Sequence, residues 1–191
     1  MVKPDSRVLG FDDGPFTFDT PRVPVVGVLS RGKGYVEAAL VTDVAVDGTD
    51  ATQRILELAR SSTHVEAARL VLLDGATMGG FNVVDLDALH AGLGVPVATL
   101  TRDEPDLADI EAALRGRFDD WAARLALLRR HRIEPVDVED GAPVWVQRAG
   151  VERDELAALL RAQTVRGRTP EPLRVAHLIA TALVEGRSRG A

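Results

Sequence analysis

The sequence predicts a mixed α/β fold in a single domain spanning residues 1–191. Three observations predict it. Strand-like segments joined by short links fill the opening stretch, apolar strands then alternate with amphipathic helices, and acidic residues stand at the ends of the strands.

The elements follow in chain order. Residues 7–12 (RVLGFD) form a short apolar strand and residues 23–30 (VPVVGVLS) a second. The turn RGKG at 31–34 leads into a third, 35–46, and three β segments with short links make an antiparallel meander. From Thr49 the period changes: Ile55, Leu56 and Ala59, with charged residues between them, suit a helix capped by Thr49 or Asp50. A buried strand at 70–73 (LVLL) precedes the Gly-rich turn DGATMGG, a helix near 83–91 and another apolar strand at 95–100. Strand, helix, strand in that rhythm implies parallel crossovers. Residues 106–130 read as one long amphipathic helix, or two broken near Gly116. A last short strand at 143–147 and helices at 152–163 and 172–184 complete the chain, with a loop at 135–141. Three antiparallel strands, then parallel strands with flanking helices, is the element order of a ribonuclease-H-like mixed sheet, an order other α/β folds share.

Composition narrows the chemistry. Cysteine is absent, which excludes disulfides, thiolate metal sites and a cysteine nucleophile; any metal must bind through oxygen or through one of four histidines. No apolar run approaches the ~18 residues of a membrane span, and no basic-then-apolar leader follows Met1, so no membrane partner and a cytoplasmic location are expected. The formal charge of −6 counts against a nucleic-acid partner, but its distribution softens the objection. Acidic residues crowd the first half, whereas arginines recur later, at 124, 129, 130, 132, 161, 166, 168 and 174. Acids that bind metal, flanked by arginines that bind phosphate, suit a metal-dependent nuclease; the arginine bias also fits a GC-rich genome.

Four acidic sites stand out: Asp12-Asp13 in GFDDGPF, Asp47 and Asp50 in VDGTDAT, Asp74 in LLDG, and Asp85 in GGFNVVD. In an open α/β sheet, ligands collect outside the carboxyl ends of the strands. If the strands at 7–12 and 70–73 lie side by side, Asp12 and Asp74 share that crevice, and carboxylates so close repel unless a cation neutralises them. Mg2+, or Mn2+ in its place, meets the requirement with oxygen ligands. Strand alternation turns Asp13 to the opposite face from Asp12. The plainer alternative is that Asp47-Gly48 and Asp74-Gly75 are chain reversals and that Asp50 caps a helix. Gly79, Gly80, Phe81 and Asn82 form either a tight turn with a core phenylalanine, or a loop presenting Phe81 for base stacking and Asn82 for a base edge. His64 and His90 lack metal-ligand spacing and read as structural or surface residues, and the run from 124 to 132 reads as a solvated helix face or a phosphate track.

The motifs GFDDGPF, VDGTDAT, LLDG and GGFNVVD, in this order, resemble those of an archaeal protein family related to endonuclease V, some members of which are named endonuclease dU. The similarity runs from about residue 8 to residue 184. A more distant resemblance to endonuclease V implies roles for single positions. VLGFD is similar to the first catalytic strand, which places Asp12 at the leading metal carboxylate, and LLDG places Asp74 at the other strand-borne carboxylate. GVPVATLTR resembles the stretch ending in a conserved lysine, with Arg102 standing there instead, and GRTPEPLRVAH, containing Arg168 and Arg174, resembles a C-terminal motif. Where that family carries a glutamate at the start of a helix, the nearest acid here is Asp50, with Asp47 as its rival. The tyrosine-bearing wedge has no aromatic counterpart in VDGTD, and the late histidine of that family would fall near residues 148–150, where none stands.

The resemblance implies a Mg2+-dependent endonuclease acting on DNA, or RNA, with a deaminated base, uracil or hypoxanthine. Asp12, Asp50 and Asp74 would ligate metal with Asp47 in reserve, and Arg102 would neutralise phosphate charge. Gly79, Gly80, Phe81, Asn82, Arg168 and Arg174 would contact nucleic acid. The missing wedge and histidine motivate an alternative, a non-catalytic nucleic-acid-binding module on the same scaffold. Hydrolysis of phosphate esters on small nucleotides is a third reading.

Overall fold

The structure, a computed structural model, describes residues 2–3, 5–17, 19–62, 65–138 and 142–189. β1 (Arg7–Asp13), β2 (Arg22–Arg31) and β3 (Tyr35–Ala45) form the expected antiparallel meander, and α1 (Ala51–Ser61) follows it. A 3-10 turn at Val65–Ala67 delivers the chain to β4 (Ala68–Asp74), which pairs parallel with β1. A small hairpin of β5 (Thr77–Met78) and β6 (Asn82–Val83) occupies the Gly-rich turn. Then come α2 (Leu86–Leu93) and β7 (Val97–Thr101), parallel to β4. The helix expected near 83–91 begins later because Asp85 caps it, accepting from Ala88 N, while Val83 stays in the hairpin.

The stretch expected as one long or one broken helix is two, α3 (Leu107–Arg117) and α4 (Trp121–Leu128). The break falls at Phe118 rather than at Gly116: the Phe118 backbone is extended, and its ring meets the Phe81 ring edge-on at 5.8 Å. β8 (Glu134–Val136) lies within the segment expected as a loop, of which residues 139–141 are outside the described ones. β9 (Val144–Ala149) then folds back antiparallel to both β7 and β8; α5 (Arg153–Gln163) and α6 (Glu171–Glu185) complete the chain.

One seven-stranded sheet, ordered β3-β2-β1-β4-β7-β9-β8, results. Its parallel neighbouring pairs are β1–β4 and β4–β7, so the sheet is ribonuclease-H-like at its centre, with a reversed strand inserted beyond it. Alternation along the strands builds two cores. Leu9, Phe11, Val71 and Leu73 pack with Ile55, Ala59, Leu86 and Leu89 of α1 and α2 on one face. Val8, Leu70 and Leu72 pack with Leu156, Leu160 and Leu173 of α5 and α6 on the other. Among the described residues no helix is long and apolar enough to cross a membrane.

Candidate functional site

The register of two strands makes the site. Gly10 pairs with Leu72 and Phe11 with Leu73 in the parallel β1–β4 ladder. One residue further along each strand stand Asp12 and Asp74. Both therefore lie on the face opposite Phe11 and Leu73, at the carboxyl end of the sheet, where open α/β sheets bind ligands.

α6 brings a third group. A Cβ on Gly10 would lie 2.8 Å from the backbone carbon of Pro172, and one on Gly14 would lie 2.9 Å from the carbonyl oxygen of Ala180. The helix thus rides along β1 in the same direction. At ~1.5 Å per helical residue and ~3.3 Å per strand residue, Pro172 to Ala180 and Gly10 to Gly14 both span ~12–13 Å. The match sets His177 over Asp12, with Nδ1 at 2.9 Å from Asp12 Oδ2. Asp12 Oδ1 accepts from the Asp13 backbone N–H at 2.8 Å.

Asp13 turns to the other face, as alternation requires, yet its carboxylate still borders the groove. Its Oδ2 accepts from Gly79 N at 3.0 Å. The donor is available because Gly79 and Gly80 both have positive φ, 63° and 83°, which lets the loop double back over the strand end. Asp12, Asp13, Asp74, Arg102, His177 and Glu185 line one broad groove.

Its electrostatics are unbalanced. Burial, then the charges of Asp74 and Asp13, push the Asp12 carboxyl up to about 8. Burial likewise raises Asp13 to about 6, against the opposing Gly79 N–H, and raises Asp74 against Arg102 and His177. The cluster holds more negative charge than its own cations neutralise. Among the described residues, no three acid or histidine side chains form a ready-made cage for an ion. A two-carboxylate site does not need one: Mg2+ commonly binds through one or two carboxylates and fills its remaining positions with water and substrate phosphate. Asp12 and Asp74 are the oxygen donors that fit such an ion.

The sequence model of the endonuclease dU family matches residues 4–184. The chain belongs to the endonuclease dU family. A UPF0215 protein of Methanothermobacter thermautotrophicus is 43% identical, over all of this chain and 93% of its own length. The crystal structure of an Archaeoglobus fulgidus protein aligns with a TM-score of 0.84 at 33% identity, over 95% of this chain and 99% of that one. Endonuclease V of Ciona intestinalis, solved with a 23mer DNA containing an inosine followed by a ribo-adenosine, shares the fold with a TM-score of 0.60 at 14% identity, over 90% of this chain and 82% of that one.

The endonuclease dU family chain does not bring every expected site residue to this groove. Asp50 was expected as a ligand, but its Oδ1 accepts from Ala45 N and Asn82 Nδ2 and its Oδ2 pairs with Arg22, contacts that hold the entry to α1 and lower its pKa despite the opposing burial. Asp47 has a positive φ of 56°; its Oδ1 accepts from Phe81 N and its Oδ2 pairs with Arg117 at 2.6 Å, so it shapes the glycine loop. Neither lines the groove of Asp12 and Asp74.

Asn82 is likewise corrected. It is wholly buried, accepting from Ala51 N to cap α1 and donating to Ala45 O and Asp50, so it has no access to a base edge. Phe81 packs against Phe118 and lines a neighbouring cavity. Arg174 is committed to a two-point pair with Glu171, and Arg168 Nη1 donates to the carbonyls of Arg102 and Pro143. Arg124, in the run read as a solvated face or phosphate track, is buried and ties Asp47 O, Gly48 O and Phe81 O together. Arg102 alone of the expected arginines lies in the groove and opposes the acid charge. His90 has the structural role expected, Nδ1 at 2.9 Å from Val95 O; His64 lies outside the described residues.

Asp13, His177 and Glu185 line the groove without being expected there. Alternation turns Asp13 away, yet the last residue of a strand can border a crevice from either face. His177 had a signal: it ends the GRTPEPLRVAH motif five residues after Pro172.

Proposed function

We propose that this member of the endonuclease dU family is a divalent-metal-dependent endonuclease that nicks DNA containing a deaminated base, uracil or hypoxanthine, as a repair activity. The observation that carries the proposal is the adjacency of Asp12 and Asp74, a buried and a half-buried carboxyl on neighbouring parallel strands, both raised by burial and Asp12 also by the neighbouring acids. Asp12 and Asp74 would hold Mg2+, or Mn2+, which when bound makes a coordinated water nucleophilic at neutral pH and neutralises phosphate charge.

The chain's own groups have separable tasks. Arg102, at the groove rim, draws the scissile phosphate toward the acids and offsets its charge. Asp13, tethered to Gly79 N, deepens the negative field that attracts a cation. His177 orients Asp12 through Nδ1. The acidic groove repels a bare phosphodiester, so nucleic-acid binding at this position should depend on the cation.

The test is nicking of labelled oligonucleotides, duplex and single-stranded, DNA and RNA, with uracil, hypoxanthine or no lesion, in Mg2+ and in Mn2+. Lesion-dependent nicking that Asp74→Asn abolishes is expected. Tight binding without any cleavage would overturn it in favour of a non-catalytic binding module. Cleavage of free nucleotides in preference to oligonucleotides would move the substrate class to small esters.

A further inference from the structure

Beside the acidic groove lies a second hollow. It is an apolar cavity of about 170 Å³, and Gly75, Thr77, Thr101 and Pro105 belong to the rims of both. Phe81, Ile110, Leu128 and Trp145 supply apolar wall. An apolar cavity of ~150 Å³ holds one benzene ring, so this one has room for a single six-membered heterocycle.

One polar side chain in its lining is locked. Gln147 is 6% exposed, on β9. Its Nε2 donates to Leu128 O at 2.7 Å and to His131 O at 2.8 Å. Two carbonyl acceptors fix which end of the amide is nitrogen, since an oxygen there would face oxygens. Both amide protons are therefore engaged, and Oε1 accepts no hydrogen bond from the described residues. Oε1 is not among the fully buried side-chain atoms left without a partner, and Gln147 is one of the residues that line the cavity. The backbone N–H of Gln147 donates to Thr99 Oγ1, which steadies the residue further. The result is an oriented acceptor, unable to flip into a donor, in a ring-sized apolar slot.

We propose that Gln147 is a specificity-determining residue whose Oε1 accepts a hydrogen bond from the ring N–H that deamination creates on an extruded base. Deamination of cytosine replaces the exocyclic amine with a carbonyl and changes ring N3 from acceptor to N–H donor; deamination of adenine does the same at N1. A fixed acceptor pairs with the lactam N–H and repels the lone pair of the undamaged base. The cavity volume favours the pyrimidine, uracil. Thymine and guanine also carry a ring N–H, so their exclusion falls to the cost of extruding a well-paired base. The inference rests on the reading of the chain as a nuclease for deaminated bases and names the atom that makes the distinction.

The test compares duplexes carrying uracil, 3-methyluracil or cytosine opposite the same partner, scored by fluorescence anisotropy in Ca2+ and by nicking in Mg2+, with wild-type protein and Gln147→Met. Wild type should bind and nick the uracil duplex at least about tenfold better than the 3-methyluracil duplex, the scale of one lost hydrogen bond plus one stranded acceptor. Gln147→Met should weaken uracil recognition and erase most of that difference. Equal handling of uracil and 3-methyluracil by wild type overturns the role of Gln147 and leaves the nuclease reading intact. An undiminished preference in Gln147→Met that is folded by circular dichroism does the same. No nicking of any uracil substrate, with selective binding retained, overturns the nuclease reading and leaves Gln147 as a reader.

Discussion

Neutralising Asp12 should make the metal-free protein more stable. Asp12 is 5% exposed and its carboxyl is pushed up to about 8, first by burial and then by Asp74 and Asp13. An acid whose folded pKa exceeds its unfolded value binds its proton more tightly when folded, so the stability it confers is present at low pH and is lost as pH rises toward 8. A rise of about four pH units, at ~1.4 kcal/mol each, sets a ceiling of roughly 5–6 kcal/mol at pH 8. Adjustment of Asp74, Asp13 and solvent lowers the realised value to about 3 kcal/mol. Asparagine at position 12 keeps the acceptor for Asp13 N and a polar partner for His177 without the charge. For a protein of this size, ~3 kcal/mol is roughly 6–12 °C in Tm. The assay is thermal unfolding of wild type and Asp12→Asn in EDTA from pH 4.5 to pH 8.5. The variant should match wild type at the acid end and exceed it increasingly toward pH 8. A variant less stable than wild type at pH 8, or a difference that does not change with pH, would refute the reasoning.

Further outcomes follow from the same geometry. Gly10→Ala drives a methyl into the Pro172 backbone and should cost about 1–3 kcal/mol, with nicking reduced as His177 is displaced from Asp12; a melt and an endpoint assay check both. Asn82→Ala strands Ala51 N, Ala45 O and Asp50, so unfolding in urea should show a loss of about 2–4 kcal/mol while the ratio of uracil to hypoxanthine nicking is unchanged. Asp50→Ala should lower stability through the same network yet leave Mn2+ binding, measured by electron paramagnetic resonance, as in wild type. His177→Asn should reduce the nicking rate at least about tenfold, with little change in Tm, because the ring is half-exposed.

Much of the fold was legible because periodicity reports burial directly. The meander, the apolar strand 70–73 and its continuation into Asp74, and the two C-terminal helices all announce themselves in hydrophobic pattern. β8 did not: three residues with Pro135 at their centre carry too little pattern, and pairing with β9 supplies their order. The site divides along the same line. Asp12 and Asp74 were legible because parallel strands in register bring their ends together. The VDGTD acids are ambiguous in sequence because an aspartate at a helix start looks alike whether it binds metal or closes a local network, and their contacts with Arg22, Asn82 and the Phe81 amide come from distant segments. Asn82 looked like a reading residue in a glycine loop, and burial made it a cap. His177 and Gln147 are placed by contacts set by helix docking and by carbonyls at and just beyond the end of α4, which sequence spacing does not encode.

The central claim is that Asp12 and Asp74 share one divalent cation. Anomalous diffraction from crystals soaked in Mn2+ tests it most directly. The account predicts a peak within about 2.0–2.6 Å of a carboxylate oxygen from each, with Asp47 and Asp50 still engaged in their own networks. A peak bound by Asp47 or Asp50 instead, or saturating Mn2+ that leaves Asp12 and Asp74 bare, would contradict it.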